Sequence, residues 1–339
     1  MVGCSLKERA MSQTFCTIDN PDPNRWYRRV LTIPLAGGLL LLLPLLIVVL
    51  PISILIDVIS RRTTFTRALL FIGLYIVNQN IGLLLCGLFW LDLQLRGRYD
   101  VFIERNHHLQ HWWAKSLLQS LQRLFQFQLC IEGEMPPCGG KILFVRHVSS
   151  ADTLLPLLSV IIPQRLKCHY VLKKELCWDP CLDIVAHRLP NAIVQRGQGE
   201  AEVERIIHLL NALDDTSCIV FYPEGTRFSI EKRQKVIQRL QEKKSKVLPL
   251  ATTLQCCLPP RLGGSLGLLS DSSRRSVVFM AHSGFEVVEN IGSLINGGLY
   301  QQQIKIKFWE DTSPIELDRQ EEWLYLQWRK LDDWLISLT

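Results

Sequence analysis

The chain has 339 residues, of which 48% are hydrophobic, and a formal net charge of +6. This length accommodates one catalytic domain and a further segment, and the charge lacks the dense basic stripe of a nucleic-acid-binding protein. Eleven cysteines, an odd number without a repeated spacing, favour reduced thiols in a cytosol-facing protein over a disulfide framework. The apolar excess lies in the first hundred residues, which indicates membrane segments attached to an ordinary globular domain.

Two apolar segments precede the globular part. The segment from Val30 to Ile56 has 27 residues without a charge, more than the roughly 20 that a helix needs to cross the hydrocarbon layer. A second segment, Ala68 to Leu91, is interrupted by polar residues at Asn78 to Asn80, and it is predicted either to cross as well or to form half of a re-entrant hairpin. Arginines flank both segments almost equally, so charge leaves the topology open.

Two amphipathic helices flank the predicted globular domain. From Arg105 to Leu129, apolar residues including two tryptophans recur at helical spacing. Such a face suits a membrane interface, and it equally suits a helix that packs on its own domain. His107 and His111 have the spacing of metal ligands on a helix, but with no third ligand nearby we interpret them as interfacial polar residues. A second helix, Asp318 to Leu338, closes the chain and carries three tryptophans.

Short apolar or β-branched runs alternate with helix-like stretches such as Ala201 to Leu213 in the rest of the chain. This alternation predicts an α/β fold, a mixed sheet covered by helices and preceded by an N-terminal membrane helical hairpin. The run from Ile304 to Phe308 alternates with lysines, which predicts a half-solvated strand at or near a sheet edge. The other predicted strands are Ile142–Val145, His169–Leu172, Ala192–Gln195, Cys218–Tyr222, Val247–Leu250 and Ser276–Met280.

A histidine and an aspartate follow the predicted strand that ends at Val145. His147 and Asp152 are separated by four residues, and active sites of α/β sheets lie at the carboxyl ends of strands. If the next helix starts just before Asp152, its carboxylate can accept the Nδ1 proton of His147 and leave Nε2 free to take a proton from a hydroxyl. The alternative is an aspartate that caps a helix beside a structural histidine.

A turn with the sequence Pro-Glu-Gly-Thr-Arg follows the predicted strand Cys218–Tyr222. Such a turn presents backbone N–H groups together with the planar guanidinium of Arg227, and both suit a phosphate group. The alternative is an ordinary turn with exposed charges.

Together, His147-x4-Asp152 and Phe221 to Arg227 resemble the signature of the glycerolipid acyltransferase family, whose best-known members are the 1-acylglycerol-3-phosphate (lysophosphatidic acid) acyltransferases. The order and the separation of the two motifs fit as well. Weaker blocks agree with the family's second and fourth conserved blocks, and the resemblance extends over residues 140–286. These blocks are Val171–Leu176, closed by Ile193–Arg196, and Val247–Leu250. The segments Leu258–Gly264 and Met280–Glu286 resemble a bacterial branch.

The resemblance implies His147 as the general base and Asp152 as its orienting carboxylate, with no metal and no bound cofactor. The sequence departs from the family pattern at three positions. Arg146 stands where Asn is frequent, Ser150 stands where a bulky aromatic residue is frequent, and Tyr222 enters the usual Phe-Pro-Glu-Gly-Thr order. The implied ligands of the acceptor phosphate are Lys173, with Lys174 as its alternative, Arg196 and Arg227. The implied shapers of the acceptor pocket are Glu224, Gly225 and Thr226.

We therefore expect an enzyme of phospholipid biosynthesis that moves a fatty acyl group from acyl-CoA or acyl-carrier protein to the free hydroxyl of 1-acyl-sn-glycerol-3-phosphate, giving phosphatidic acid. The alternatives are another lysophospholipid acceptor, a membrane-anchored acyl thioesterase, or a binding module with a degenerate site. The expected location is the bacterial inner membrane, among membrane lipids, with the catalytic domain facing the cytoplasm. The predicted parts are an N-terminal tail at 1–29, membrane-embedded helical segments at 30–91, an amphipathic interfacial helix region at 92–130, an acyltransferase α/β domain at 131–317 and a C-terminal amphipathic helix at 318–339.

Overall fold

The structure is a computed structural model, and it describes residues 22–134, 139–195, 199–270, 275–288, 290–311 and 317–338. Arg196, which the sequence singled out as a phosphate ligand, lies outside these residues. Cys4, Cys16 and Cys138 lie outside them as well, and the eight cysteines of the described part carry free thiols.

Two antiparallel helical strips form the N-terminal part. The first strip joins helices α1 (Arg25–Leu40) and α2 (Leu46–Ser60) through a 3-10 turn at Leu43–Leu45, and the second strip is helix α3 (Thr64–Arg96). Strips of 36 and 33 residues are long and apolar enough to cross a membrane. A proline in the connecting turn explains the break between α1 and α2, because it lacks the N–H that a continuous helix would need. The two strips have the form of the predicted hairpin.

The hairpin is attached to the rest of the molecule along most of α3. Near the start of the helix, the Thr64 hydroxyl donates to the carbonyl of Ile295 at 2.6 Å. Twenty-two residues later, the carbonyl of Cys86 accepts from the Arg188 guanidinium at 3.0 Å. The outward face of the first strip is apolar and exposed, and Leu41 is 79% exposed. The hairpin therefore lies along the side of the domain and turns one apolar face outward.

Helix α4 (Tyr99–Phe125) joins the hairpin to the sheet. Its apolar face packs on the domain, where Leu118 and Phe125 are fully buried. Of the two alternatives left by the sequence, a membrane interface or packing on its own domain, this face follows the second. The interfacial interpretation of His107 is wrong. Its ring is buried 5.3 Å from the ring of His169, and burial lowers the pKa of His107 to about 2, so it is a neutral internal residue.

Seven strands form one mixed sheet in the order β1-β7-β6-β2-β5-β3-β4. Strands β6, β2, β5, β3 and β4 are mutually parallel, β7 is antiparallel to β6, and β1 is parallel to β7. All residues of β2 and β5 are buried, as expected for parallel strands covered by helices on both faces. The predicted α/β class is confirmed. The strands are β1 Gln128–Glu132, β2 Lys141–Val145, β3 Lys167–Lys173, β4 Ala192–Val194, β5 Ser217–Phe221, β6 Ser276–Ser283 and β7 Gln303–Glu310.

Seven further helices cover the described part of the sheet. The predicted strand at Val247–Leu250 is wrong, because a helix begins there at Leu248 with Pro249 in its first turn, where a missing N–H costs nothing. The closing helix buries Trp328 against the sheet, so its tryptophan face belongs to the core. These helices are α5 Pro180–Ala186, α6 Glu200–Asn211, α7 Ile230–Glu242, α8 Leu248–Thr253, α9 Leu262–Leu269, α10 Ile291–Ile295 and α11 Gln320–Ile336.

Candidate active site

The candidate site lies at the carboxyl ends of three neighbouring parallel strands. His147 follows β2, the turn 223–227 follows β5, and Lys173 is the last residue of β3. Because β5 lies between β2 and β3, the turn stands between the histidine and the lysine. Carboxyl ends of parallel strands are where open α/β sheets bind their ligands.

Asp152 holds the imidazole of His147. It stands in the first turn of a 3-10 helix (Ala151–Leu154), and its Oδ1 lies 3.1 Å from His147 Nδ1. Its Oδ2 accepts the backbone N–H groups of Val148 at 2.7 Å and Ser149 at 2.8 Å. A carboxylate satisfied in this way acts as an acceptor, so Nδ1 carries the proton and Nε2 presents its lone pair. Asp152 is fully buried, whereas the histidine side chain is 15% exposed.

Glu224 lies beneath the backbone of His147. Its Oε1 accepts the His147 N–H at 3.3 Å and its Oε2 accepts the Leu258 N–H at 3.2 Å. The residue is only 2% exposed, and burial raises the pKa of Glu224 to about 8, although the nearby guanidinium of Arg146 opposes this rise. The carboxyl group thus ties the histidine loop to the segment around residue 258, which gives it a positioning role.

Two further buried residues complete the polar layer behind the histidine. The Arg146 guanidinium donates to the carbonyls of His282 at 2.8 Å and Cys256 at 3.0 Å, and it pairs with Glu286. In return, His282 Nε2 lies 2.9 Å from the Arg146 carbonyl and 3.6 Å from Asp152 Oδ2. Sequence reasoning gave neither residue a role. We call Arg146, Asp152, Glu224 and His282 the buried polar layer.

The shape of the 223–227 turn depends on Gly225. Its φ is +62°, a conformation that side chains with a Cβ rarely adopt, and its N–H donates to the Tyr222 carbonyl at 2.9 Å. An added Cβ would also lie 2.8 Å from the Nε of Arg261. Just after the turn, the N–H of Phe228 donates to the carbonyl of His147 at 2.9 Å. The turn and the histidine loop are therefore fixed to each other.

The polar side chains on the open side of the site are half-buried. These are Lys173, Thr226 and Arg227. The neighbouring Lys174 forms an ion pair with Asp22 at 3.0 Å, which directs it towards the start of the hairpin.

Tyr222, one of the departures from the family pattern, packs against His147. The centroid of its ring lies 4.9 Å from that of His147. Its hydroxyl is buried and has no hydrogen-bond partner among the described residues. The sequence marked the departure but not this contact, because only the fold brings the two rings together.

A second cluster of titratable groups lies between α1 and the end of β3. The ligand atoms of Cys177, Asp183 and His187 lie within 4.8 Å of one another, an arrangement that a metal ion could use. Asp183, however, pairs with both Arg28 and Arg29 of α1. The carboxylate is thus committed to an ion network that anchors the hairpin on α5.

Comparison with known proteins agrees with this geometry. Residues 128–253, which contain both motifs, match the family model described as Acyltransferase. The comparison with curated protein sequences finds no match. Among solved structures, the chain is similar to the 1-acyl-sn-glycerophosphate (LPA) acyltransferase PlsC from Thermotoga maritima, with a TM-score of 0.40 and 16% identity, over 73% of this chain and 94% of that chain. That likeness is too loose to assign residues. The segment that carries both motifs thus matches the acyltransferase family, in agreement with the resemblance drawn from the motifs.

Proposed function

We propose that the protein transfers a fatty acyl group from the thioester of acyl-CoA or acyl-carrier protein to the free hydroxyl of 1-acyl-sn-glycerol-3-phosphate, giving phosphatidic acid. The observation that carries this proposal is the 3.1 Å contact between His147 and the buried Asp152, next to the fixed 223–227 turn. A base and a phosphate-binding turn at one sheet edge are what this acyl transfer requires.

The proposed reaction starts at His147 Nε2, which takes the proton of the acceptor hydroxyl. The hydroxyl oxygen attacks the thioester carbonyl, a C–O bond forms, and the C–S bond then breaks. The leaving thiolate receives the proton from the imidazolium, which Asp152 stabilises while it is charged. General base catalysis of this kind contributes about 10²- to 10⁴-fold to the rate, and a thioester is activated enough for base and positioning to suffice.

The acceptor phosphate is proposed to bind on the open side of the site. Lys173 at the end of β3 and Arg227 in the turn stand at adjacent strand ends, and a guanidinium can grip a phosphate through two parallel hydrogen bonds. Arg196 follows β4, the next strand in the sheet, and is proposed as a third cation. Glu224, Gly225 and Thr226 are proposed to shape the pocket beside them, Glu224 through its hold on the histidine loop.

The hairpin supports a location at the membrane surface. Its contacts with the domain run from Thr64 to Cys86, which supports a hairpin that stays on the side of the membrane where the domain lies. We propose that the hairpin lies within one leaflet with its exposed apolar face towards the lipid, and that the domain faces the cytoplasm at the bacterial inner membrane. The one-chain acceptor and the two-chain product then enter and leave sideways.

The test is a product analysis with purified protein, one labelled acyl-CoA and several lysolipid acceptors. Phosphatidic acid as the main product, with thiol release that depends on the acceptor, supports the proposal. A different main product would assign another lysophospholipid. Thiol release that is independent of any acceptor would identify a thioesterase, and the absence of thiol release with both CoA and carrier-protein donors would identify a binding module.

A further inference from the structure

A cavity of about 360 Å³ opens where α2 turns into α3. It lies between the hairpin turn and the segment that follows α10, and none of its lining residues belongs to the active site. The lining residues are Arg61, Arg62, Thr63, Thr64, Asn296, Gly297 and Tyr300.

The charge of this cavity is positive. The side chains of Arg61 and Arg62 are exposed, and neither guanidinium has an ion-pair or hydrogen-bond partner among the residues that the structure describes. The nearest acidic residue along the chain, Asp57, is engaged elsewhere, because its carboxylate accepts the N–H groups of Phe65 at 3.2 Å and Thr66 at 2.9 Å. Two guanidinium groups beside hydroxyl and amide groups form a suitable site for a phosphate.

The walls of the cavity are held in place by other contacts. The Arg67 guanidinium lies 4.9 Å above the ring of Tyr300 and also donates to the carbonyl of Leu124. The Thr64 hydroxyl donates to the Ile295 carbonyl, which fixes the hairpin turn against α10. The cavity is therefore formed before any ligand binds, and a formed site loses less conformational entropy on binding.

The surroundings of the cavity point to a lipid and not to a soluble anion. The last turn of α2 exposes apolar side chains, with Val58 68% and Ile59 74% exposed, and the two arginines follow at once. An apolar surface that ends in cations matches the boundary between acyl chains and headgroups. We propose that this cavity binds the phosphate headgroup of an anionic phospholipid whose acyl chains lie along α2.

Vesicle flotation of the full-length protein tests the site. Wild type is expected to bind vesicles with about 30 mol% phosphatidic acid roughly 10- to 30-fold more tightly than pure phosphatidylcholine vesicles, since each arginine near an anionic surface contributes about 1 kcal/mol. The double substitution Arg61→Gln, Arg62→Gln should abolish this preference and retain binding to neutral vesicles. The matched control is Lys235→Gln with Arg239→Gln, which removes two exposed charges from α7, and it should keep the preference.

Two further experiments distinguish a specific phospholipid site from general electrostatic attraction to the vesicles and from a site for free phosphate. Asn296→Phe, which places a ring in the cavity without a change of charge, should also reduce the preference for anionic vesicles. An equal loss in both double variants, or no loss with Asn296→Phe, would overturn the site. Competition by inorganic phosphate at the concentration of the vesicle headgroups would show a phosphate site without a lipid. All readouts are of binding, so they stand apart from the outcome of the acyl-transfer assay.

Discussion

The two sides of His147 differ in how deeply their polar groups are buried. On the inner side of the ring, Arg146 and His282 bond each other's carbonyls, and Asp152 accepts two backbone N–H groups. Two atoms of this buried polar layer, Arg146 Nε and His282 Nδ1, have no hydrogen-bond partner among the described residues. In front of the ring, Lys173 and Arg227 stand half-buried at strand ends. The inner side lies in the protein interior, whereas the outer side is partly exposed, and there we propose that the acceptor binds.

This difference predicts which substitutions lower stability and which lower activity. A group whose partners are buried costs stability when it is removed, because its partners lose their hydrogen bonds away from water. Removal of a half-exposed cation costs little stability, and under the proposed function its effect appears when the phosphate-bearing acceptor binds. His147 belongs to both sides, since its Nδ1 contacts Asp152 of the inner layer and its Nε2 is the atom proposed to act on the acceptor hydroxyl.

The largest effect on activity is expected for His147→Ala, which removes the side chain that belongs to both sides. Activity should fall by about 10²- to 10⁴-fold, while folding should be retained because the side chain lies at the edge of the core. Measurement of acyl transfer and of the melting temperature checks this result. His208→Ala, on the exposed face of α6, is the matched control. Residual activity above about 1% of wild type would remove the histidine from the role of base.

A smaller effect, confined to the outer side, is expected for Arg227→Lys. The charge remains but the two-point contact is lost, so kcat/KM for the phosphate-bearing acceptor should fall about 10- to 150-fold, the value of 1.5 to 3 kcal/mol for a charged hydrogen bond. The KM of the acyl donor should change little. Arg239→Lys on α7 serves as the control. A loss confined to the donor would place the guanidinium in the thioester site, and an unchanged acceptor would assign it to the turn.

The outer side and its scaffold were largely predictable from the sequence. Buried parallel strands are continuous apolar runs, so the ends of β2 and β5 were visible, and the motif residues follow these ends directly. Strand β1 was missed because Gln128 and Ile131 are exposed at the sheet edge, where an apolar pattern is weak. The helix at Leu248 was mistaken for a strand because a short apolar run has no clear period.

Apart from the contact between Asp152 and His147, the inner side was not predictable in the same way. Arg146 and His282 are 136 residues apart, and only the parallel pairing of β2 with β6 brings them into contact. Glu224 was expected to shape the acceptor pocket, and its two backbone bonds become visible only when the histidine loop and residue 258 are placed beside it. Contacts of this kind depend on tertiary register, which local pattern does not contain.

The inner side should also make the stability of the folded protein depend on pH. The carboxyl group of Glu224 has a pKa of about 8 in the folded protein against 4.5 for its ordinary value, so between these limits the folded state holds a proton that the unfolded state lacks. Stability should therefore fall as pH rises from about 5 to 8, and Glu224→Gln should remove this part of the slope. Melting temperatures measured at several pH values in one detergent test the prediction.

Glu286 provides the opposite control for that experiment. Its pairing with Arg146 lowers the pKa of Glu286 despite burial, so its contribution to stability is present above its ordinary pKa and is lost as pH falls. Glu286→Gln should therefore change the acid side of the profile and leave the slope between pH 5 and 8 in place. Equal slopes in wild type and Glu224→Gln would show that Glu224 is ionised throughout and that its environment is more polar than its burial suggests.

The smallest effect is expected for Tyr222→Phe, which tests where the boundary between the two sides lies. The ring packs against His147, and phenylalanine keeps that contact. The hydroxyl is buried without a partner among the described residues, so its removal should leave stability unchanged or raise it by about 1 kcal/mol. Acyl transfer should stay within about twofold of wild type, whereas Tyr222→Ala, which leaves the imidazole unsupported, should lower kcat more than the acceptor KM. If Tyr222→Phe instead raises the acceptor KM and spares stability, the hydroxyl contacts the substrate and the tyrosine belongs to the outer side.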